Sequence, residues 1–378
     1  MSAQTLDQLP TPCLLVDQER TRANIDRMDL QLGQLQVPLR PHLKTCKNID
    51  IARQMLDAHP GAATVSTLAE ADYFFGHGIK DLLYAVGIAP GKLQAVAERR
   101  AAGMHLSIIL DSLAAATAVT AAARRLDCAY RVLLEVDADG HRAGFRADDP
   151  DLENSARMLA DGGCEVAGIM VHAGGSYACQ QTEAIADMAA TERMAALSAA
   201  TRLREIGLEA PVVSVGSTPT ATFSRNLDGV TEVRAGVYVF QDLVMAGLGV
   251  CRDEDIALSV LTEVIGHRVQ SGQVVIDAGW MALSRDRGTA GQARDRGYGL
   301  VRDVDGRDLG EVVVQATNQE HGILAHADGT PLSAEEFPVG RRLRILPNHA
   351  CATAGQHGGY WLIEDGAVQR WLERCQGW

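Results

Sequence analysis

No stretch of the 378-residue chain approaches the roughly 20 consecutive apolar residues that cross a membrane as a helix, so no membrane span is expected. The N-terminus, MSAQTLDQLPTPC, lacks an apolar run and carries Asp7 early. It therefore reads as mature sequence rather than a secretory signal. CxxC is also absent. Eight cysteines stand singly at 13, 46, 128, 164, 179, 251, 351 and 375, which in a chain this long fits reduced thiols in a cytoplasm better than a disulfide framework. Excess positive charge is missing too. Lys and Arg number 35 against 48 Asp and Glu, a net −13, which disfavours nucleic acid and anionic membranes as partners. A local basic patch could still hold a small anion. What is present is ordinary globular composition, 47% hydrophobic and 22% charged, long enough for a full core.

Short β-rich runs alternate with Ala-rich helical stretches. Eight candidate strands lie at 37–43, 63–67, 81–86, 105–111, 130–137, 165–172, 212–216 and 231–235. The segment 182–206 shows a helix face at Met194, Leu197, Ala200, Leu203 and Ile206. Such alternation implies a parallel sheet, and eight units imply a closed (β/α)8 barrel, with an open doubly wound sheet as the alternative. Beyond about residue 250 the rhythm changes. Runs at 258–264, 273–277, 311–317, 342–346 and 360–363 are separated by turn residues, which reads as a mostly-β domain. A short strand at 13–17, after Pro10 and Pro12, could pair with it. The expected division is a barrel over 15–250 and a β-domain from 1–14 and 251–378.

Barrel chemistry collects at the C-terminal ends of the strands. The first ends in Arg40-Pro41-His42-Leu43-Lys44-Thr45. A partly desolvated lysine at the mouth is suited to a Schiff base with a carbonyl; a solvated loop lysine is the alternative. The seventh ends in Gly216-Ser217-Thr218-Pro219 and the eighth in Arg234-Ala235-Gly236-Val237-Tyr238. Small residues, hydroxyls and a helix start suit a phosphate, against ordinary turns. The fifth and sixth add Arg142 and His172, each more often structural when alone. In the second domain, His349 and Cys351 would project to one side of an extended chain. There they could share a metal, with open positions left for catalysis. Gln319, Glu320 and His321 form a second polar cluster.

Taken together, the PHxKT lysine, HRxG, the GST loop, RAGVY, DAGW and HxC resemble fold-type III pyridoxal-phosphate enzymes with an alanine-racemase-like barrel. Within these, the match is to the D-serine dehydratase and D-threonine aldolase group, nearest its 3-hydroxyaspartate dehydratases. The resemblance spans essentially the whole chain. It implies that Lys44 carries pyridoxal 5'-phosphate. Gly216, Ser217, Thr218, Gly236 and Val237 would surround the phosphate, with His172 near the ring and Arg142 near its phenolic oxygen. Arg234 falls where alanine racemases place an arginine on the pyridine nitrogen. His349 and Cys351 would be the divalent-metal pair, and the thiolate favours Zn²⁺ over Mg²⁺ or Mn²⁺.

The implied substrate is a D-3-hydroxy amino acid (D-threo-3-hydroxyaspartate, D-serine or D-threonine), dehydrated by a cytoplasmic homodimer. Cys351 tilts the expectation toward dehydratases, because many of the aldolases carry Asp there. Retro-aldol cleavage to glycine and an aldehyde is the alternative. A metal-free racemase would need a tyrosine such as Tyr298, and a cofactor carrier without catalysis would be much shorter. A second substrate carboxylate would need a cation, for which Arg285, Arg287 and Arg294 are candidates.

Overall fold

The computed structural model describes residues 5–59 and 61–378. Residues 1–4 of the expected β-domain segment lie outside this set. Two compact units emerge, one from residues up to Asp26 with Val237–Arg374, the other from Arg27–Gly236 with Cys375–Trp378. The boundaries thus fall at 26/27 and 236/237, not at the expected 14/15 and 250/251. The reason for the second shift is local. Leu243 and Val244 donate their N–H groups to Pro347 and Asn348, and Leu243 packs in a cluster with Ile256, Leu300, Val313 and Leu346.

In the Arg27–Gly236 unit, seven strands follow one another in order: Ala62–Val65, Asp81–Gly87, His105–Leu110, Arg131–Asp137, Glu165–Val171, Val212–Val215 and Glu232–Val233. Every neighbouring pair is parallel. A two-residue strand, Phe145–Arg146, adds to Arg131–Asp137. The segment 37–43 was expected as the first strand. It fills that place, but only through isolated parallel bridges, Leu39 to Val233 and His42 to Thr64. The cause is Pro38 and Pro41, which have no N–H to give to a ladder. They act as acceptors instead, Pro38 for Val233 and Pro41 for Thr64. These bridges join the last strand to the first and close the barrel.

Helices start where capping residues follow barrel strands. Thr67 caps Leu68–Gly76, Ser112 caps Leu113–Leu126 and Ser217 caps Thr218–Phe223, each accepting a backbone N–H of the first turn. The helix expected at 182–206 spans Thr182–Glu205. Its buried face is Ile185, Ala189, Glu192, Ala196, Ala199 and Leu203, whereas Met194 is exposed. A strict three-residue spacing drifts off a 3.6-residue helix face, and Glu192 takes the place in the core.

Arg40 runs through the closure. Its Nε donates to Glu232 at 2.8 Å, and its Nη1 donates to Asp81 at 3.0 Å and to the Ala63 carbonyl at 3.1 Å. Ser214 donates to the other oxygen of Glu232 at 2.6 Å.

The second unit is built on nine strands. Six of them form a ring: Gln273–Ile276, Gly322–His326, Asp308–Thr317, Leu300–Asp303, Arg342–Leu346 and Leu258–Arg268, which pairs back to Gln273–Ile276. This closed β-barrel is extended by Cys13–Asp17, Gly359–Glu364 and Ala367–Glu373. The pairing expected for the 13–17 strand is found, antiparallel to 258–268 and parallel to 359–364. Strands at 300–303, 322–326 and 367–373 were not read from the sequence. None of the eight cysteines is in a disulfide, and among the described residues no helix is long and apolar enough to cross a membrane.

Replacing Arg40 by Leu leaves the half-buried Glu232 without its ion-pair partner, and the expected loss is about 3 kcal/mol. Urea denaturation should show this as a lowered midpoint. Arg225→Leu removes an exposed pair with Glu183 and should leave the midpoint unchanged.

Candidate functional site

In the barrel unit, the closing segment delivers Lys44 to the surface just past its bridge to Ala62–Val65. His42, two residues earlier, is held well below the ordinary histidine pKa by burial and by the charges of Lys44, Arg234 and His172. His172 follows the strand Glu165–Val171, and its Nδ1 hydrogen-bonds the Gly216 carbonyl at 3.2 Å. Burial, with Arg142, Arg234 and Lys44 nearby, lowers its pKa to about 4. The expected set Lys44, Arg142, His172 and Arg234 is therefore brought within one electrostatic neighbourhood. Two neutral imidazoles and three cations converge there.

Arg234 is buried and donates to Ser214 Oγ and to the Val171 carbonyl. Arg142 is exposed and lies 3.5 Å from Glu135. Burial raises the Glu135 pKa, against the pull of Arg142 and Arg234.

The small residues have steric reasons. Gly216 sits at φ +121°, and an added Cβ would lie 2.6 Å from the Arg234 carbonyl oxygen. At Gly236 a Cβ would lie 2.9 Å from the His42 carbonyl oxygen. Both glycines let strand ends pack against each other and against the segment that carries Lys44. Ser217 caps its helix, and its hydroxyl lies 3.3 Å from that of Ser176. Val237, also expected near the phosphate, is buried and is counted with the other unit. There its carbonyl accepts from Phe240 and Gln241.

A residue the sequence did not reveal organises this cup. Glu192, fully buried, accepts the Ala173 N–H at 2.9 Å and the Gly216 N–H at 3.0 Å, tying two strand ends to one helix. Burial raises its pKa. Its only sequence signal was a carboxylate at 3.6-residue spacing from apolar positions. One buried and two exposed cations beside hydroxyls and two close-packed glycines fit an anionic planar cofactor held by Lys44.

In the β unit, His349 and Cys351 do not lie on extended chain as expected. His349 caps a short helix, Ala350–Ala354, and Cys351 is in its first turn. The helical start nevertheless keeps the pair together, since the Cys351 side chain hydrogen-bonds the imidazole. On Nδ1 the ring meets Asp286 Oδ2 at 2.8 Å. Burial opposes the imidazolium, yet Asp286, Cys351 and Asp242 push the His349 pKa up to about 11. The corner is thus negative enough to hold a proton, and an imidazole and a thiol side by side suit a borderline-soft cation. Among the described residues no group of three or more His, Cys, Asp and Glu is placed to hold a metal ion; the pair itself offers two ligands.

Other candidates lie elsewhere. Gln319, Glu320 and His321 are exposed, and the Asn318 and Gln319 carbonyls accept from Trp280 and Met281. Arg285 stacks over Trp280 at 4.1 Å. Arg287 pairs with Asp295 and covers Tyr298, and Arg294 lies 3.6 Å from Glu311.

Residues 16–243 match the alanine racemase N-terminal domain, and residues 257–363 match a serine dehydratase domain. D-threo-3-hydroxyaspartate dehydratase of Delftia sp. (strain HT23) is 51% identical over 378 residues, 99% of each chain. D-serine dehydratase of Dictyostelium discoideum is 30% identical over 95% of each. A solved D-threo-3-hydroxyaspartate dehydratase, a cysteine-to-alanine variant in the metal-free form, superposes with a TM-score of 0.97 at 50% identity, covering 99% of this chain and 100% of that one. The chain belongs to the alanine racemase N-terminal / D-serine dehydratase family and is an enzyme of this pyridoxal-phosphate group.

Proposed function

We propose that this enzyme removes water from D-3-hydroxy amino acids, using pyridoxal phosphate and one divalent metal, as a cytoplasmic homodimer. The carrying observation is the His349–Cys351 pair, hydrogen-bonded together in an acidic corner. Its support from relatives is the metal-free cysteine variant and the dehydratase names of the two sequences above. Pyridoxal phosphate, when bound, is an electron sink for Cα. A divalent ion is a Lewis acid for the β-hydroxyl, and the thiolate favours Zn²⁺.

The chain's own residues do the rest. Lys44 Nζ holds the cofactor and then takes the Cα proton as general base. Gly216, Ser217, Thr218, Gly236 and Val237 would hold the phosphate, and Arg142, His172 and Arg234 would serve the ring. His349 and Cys351 hold the metal. Loss of the Cα proton and of hydroxide leaves an enamine, which hydrolyses to a 2-oxo acid and ammonia. D-threo-3-hydroxyaspartate would give oxaloacetate, and D-serine pyruvate.

Three measurements test the proposal. With D-threonine, D-serine and 3-hydroxyaspartate isomers, ammonia and a 2-oxo acid should form; glycine with an aldehyde would make the enzyme an aldolase instead. Lys44→Ala should lose the cofactor's absorbance at the visible edge and cut turnover by roughly 10³-fold; survival of that band removes Lys44 from the role. Exhaustive chelation should abolish turnover while the cofactor stays bound, with Zn²⁺ restoring it. Unchanged turnover after chelation would refute the metal.

A further inference from the structure

We propose that Asp286 is the positioning residue for His349, accepting the hydrogen bond from Nδ1–H so that the ring's tautomer and rotation are set and Nε2 is presented to a divalent cation. This rests on the reading of His349 and Cys351 as the metal pair. The contact is direct, 2.8 Å between Nδ1 and Oδ2. An imidazole that binds a metal through one nitrogen is commonly oriented by a carboxylate on the other.

Asp286 is itself fixed. Its Oδ1 accepts the Gly288 N–H at 2.7 Å, and its own N–H donates to Ser284 Oγ at 3.2 Å. Both carboxylate oxygens thus have hydrogen-bond donors, which suits a support rather than a ligand.

The two segments are cross-tied by the residue just before the histidine. Asn348, buried, donates to the Asp286 carbonyl at 3.0 Å and to the Gly297 carbonyl at 2.7 Å, and accepts from Thr289 at 3.1 Å. On the other side, Ala350 N–H donates to Asp242 Oδ2 at 2.9 Å, and Thr353 donates to the Leu283 carbonyl at 2.8 Å. The segment bearing His349 and Cys351 is therefore anchored before, within and after the pair, and Asp286 sets the one freedom left to the imidazole, its rotation.

The test measures Zn²⁺ affinity of the cofactor-loaded enzyme by competition with a chromophoric chelator, and the visible spectrum of the Co²⁺ form. Asp286→Ala should weaken Zn²⁺ by about 10- to 100-fold while the sulfur-to-cobalt band persists at saturation. Asp286→Asn, which keeps an acceptor for Nδ1–H, should recover part of that loss; it also decides the question if the alanine variant does not fold. Affinity within twofold of the parent in both variants, with binding lost in His349→Ala, would overturn the positioning role alone. Complete loss of binding in a folded Asp286→Ala protein would make Asp286 a ligand and overturn it as well. If His349→Ala and Cys351→Ala both keep the parent affinity, the metal pair itself is wrong.

Discussion

The barrel depends on closing a sheet through a segment that cannot form a full ladder. Pro38 and Pro41 remove two donors from the segment that joins the last strand to the first. Arg40 lies between them and compensates with its side chain, reaching Glu232, Asp81 and the Ala63 carbonyl. A single guanidinium thus spans strands at both sides of the seam. Lys44 follows four residues later, so the ion pairs that close the barrel also set where its side chain emerges. A lysine in that place would not suit a neighbour-joining strand. It suits an irregular segment whose end is fixed at a few points.

Charge is distributed against the overall balance. The chain carries −13, yet the barrel mouth gathers Lys44, Arg142 and Arg234 beside two histidines kept neutral. Burial raises the cost of bringing these groups together, and an anionic ligand would relieve it. Glu192 contributes no charge to spare for that ligand, because its carboxylate is spent on two backbone donors. The β unit has the opposite character. Asp242, Asp286 and Cys351 surround His349, an arrangement that attracts a cation. Two local fields of opposite sign matter more to the chemistry than the net charge.

Supports and reactive groups differ in how they can be recognised. Lys44, His349 and Cys351 belong to short motifs that place unusual side chains near strand ends, and strand ends are readable. Glu192 and Asp286 belong to no motif. Asp286 stands 63 residues from the histidine it touches, between two arginines that draw more notice. Those arginines turn out to be occupied with Trp280, Asp295 and Tyr298.

By itself, the sequence determined the alternation of strands and helices, the change to β-structure near residue 250, the pairing of the 13–17 strand with that later domain, and which side chains are candidates for the chemistry. These follow from periodicity and from local residue chemistry, which act over a few positions. Tertiary structure alone decided that residues 37–43 close the barrel by bridges, because the effect of missing donors depends on which neighbours lie opposite. It decided that the β-strands form a ring, since ring closure joins residues distant in the chain. It also decided that His349 and Cys351 meet on a helix start rather than on extended chain. The partners that shape that turn are distant in the chain: Asp242 accepts the Ala350 N–H, and the Asp286 and Gly297 carbonyls accept from Asn348.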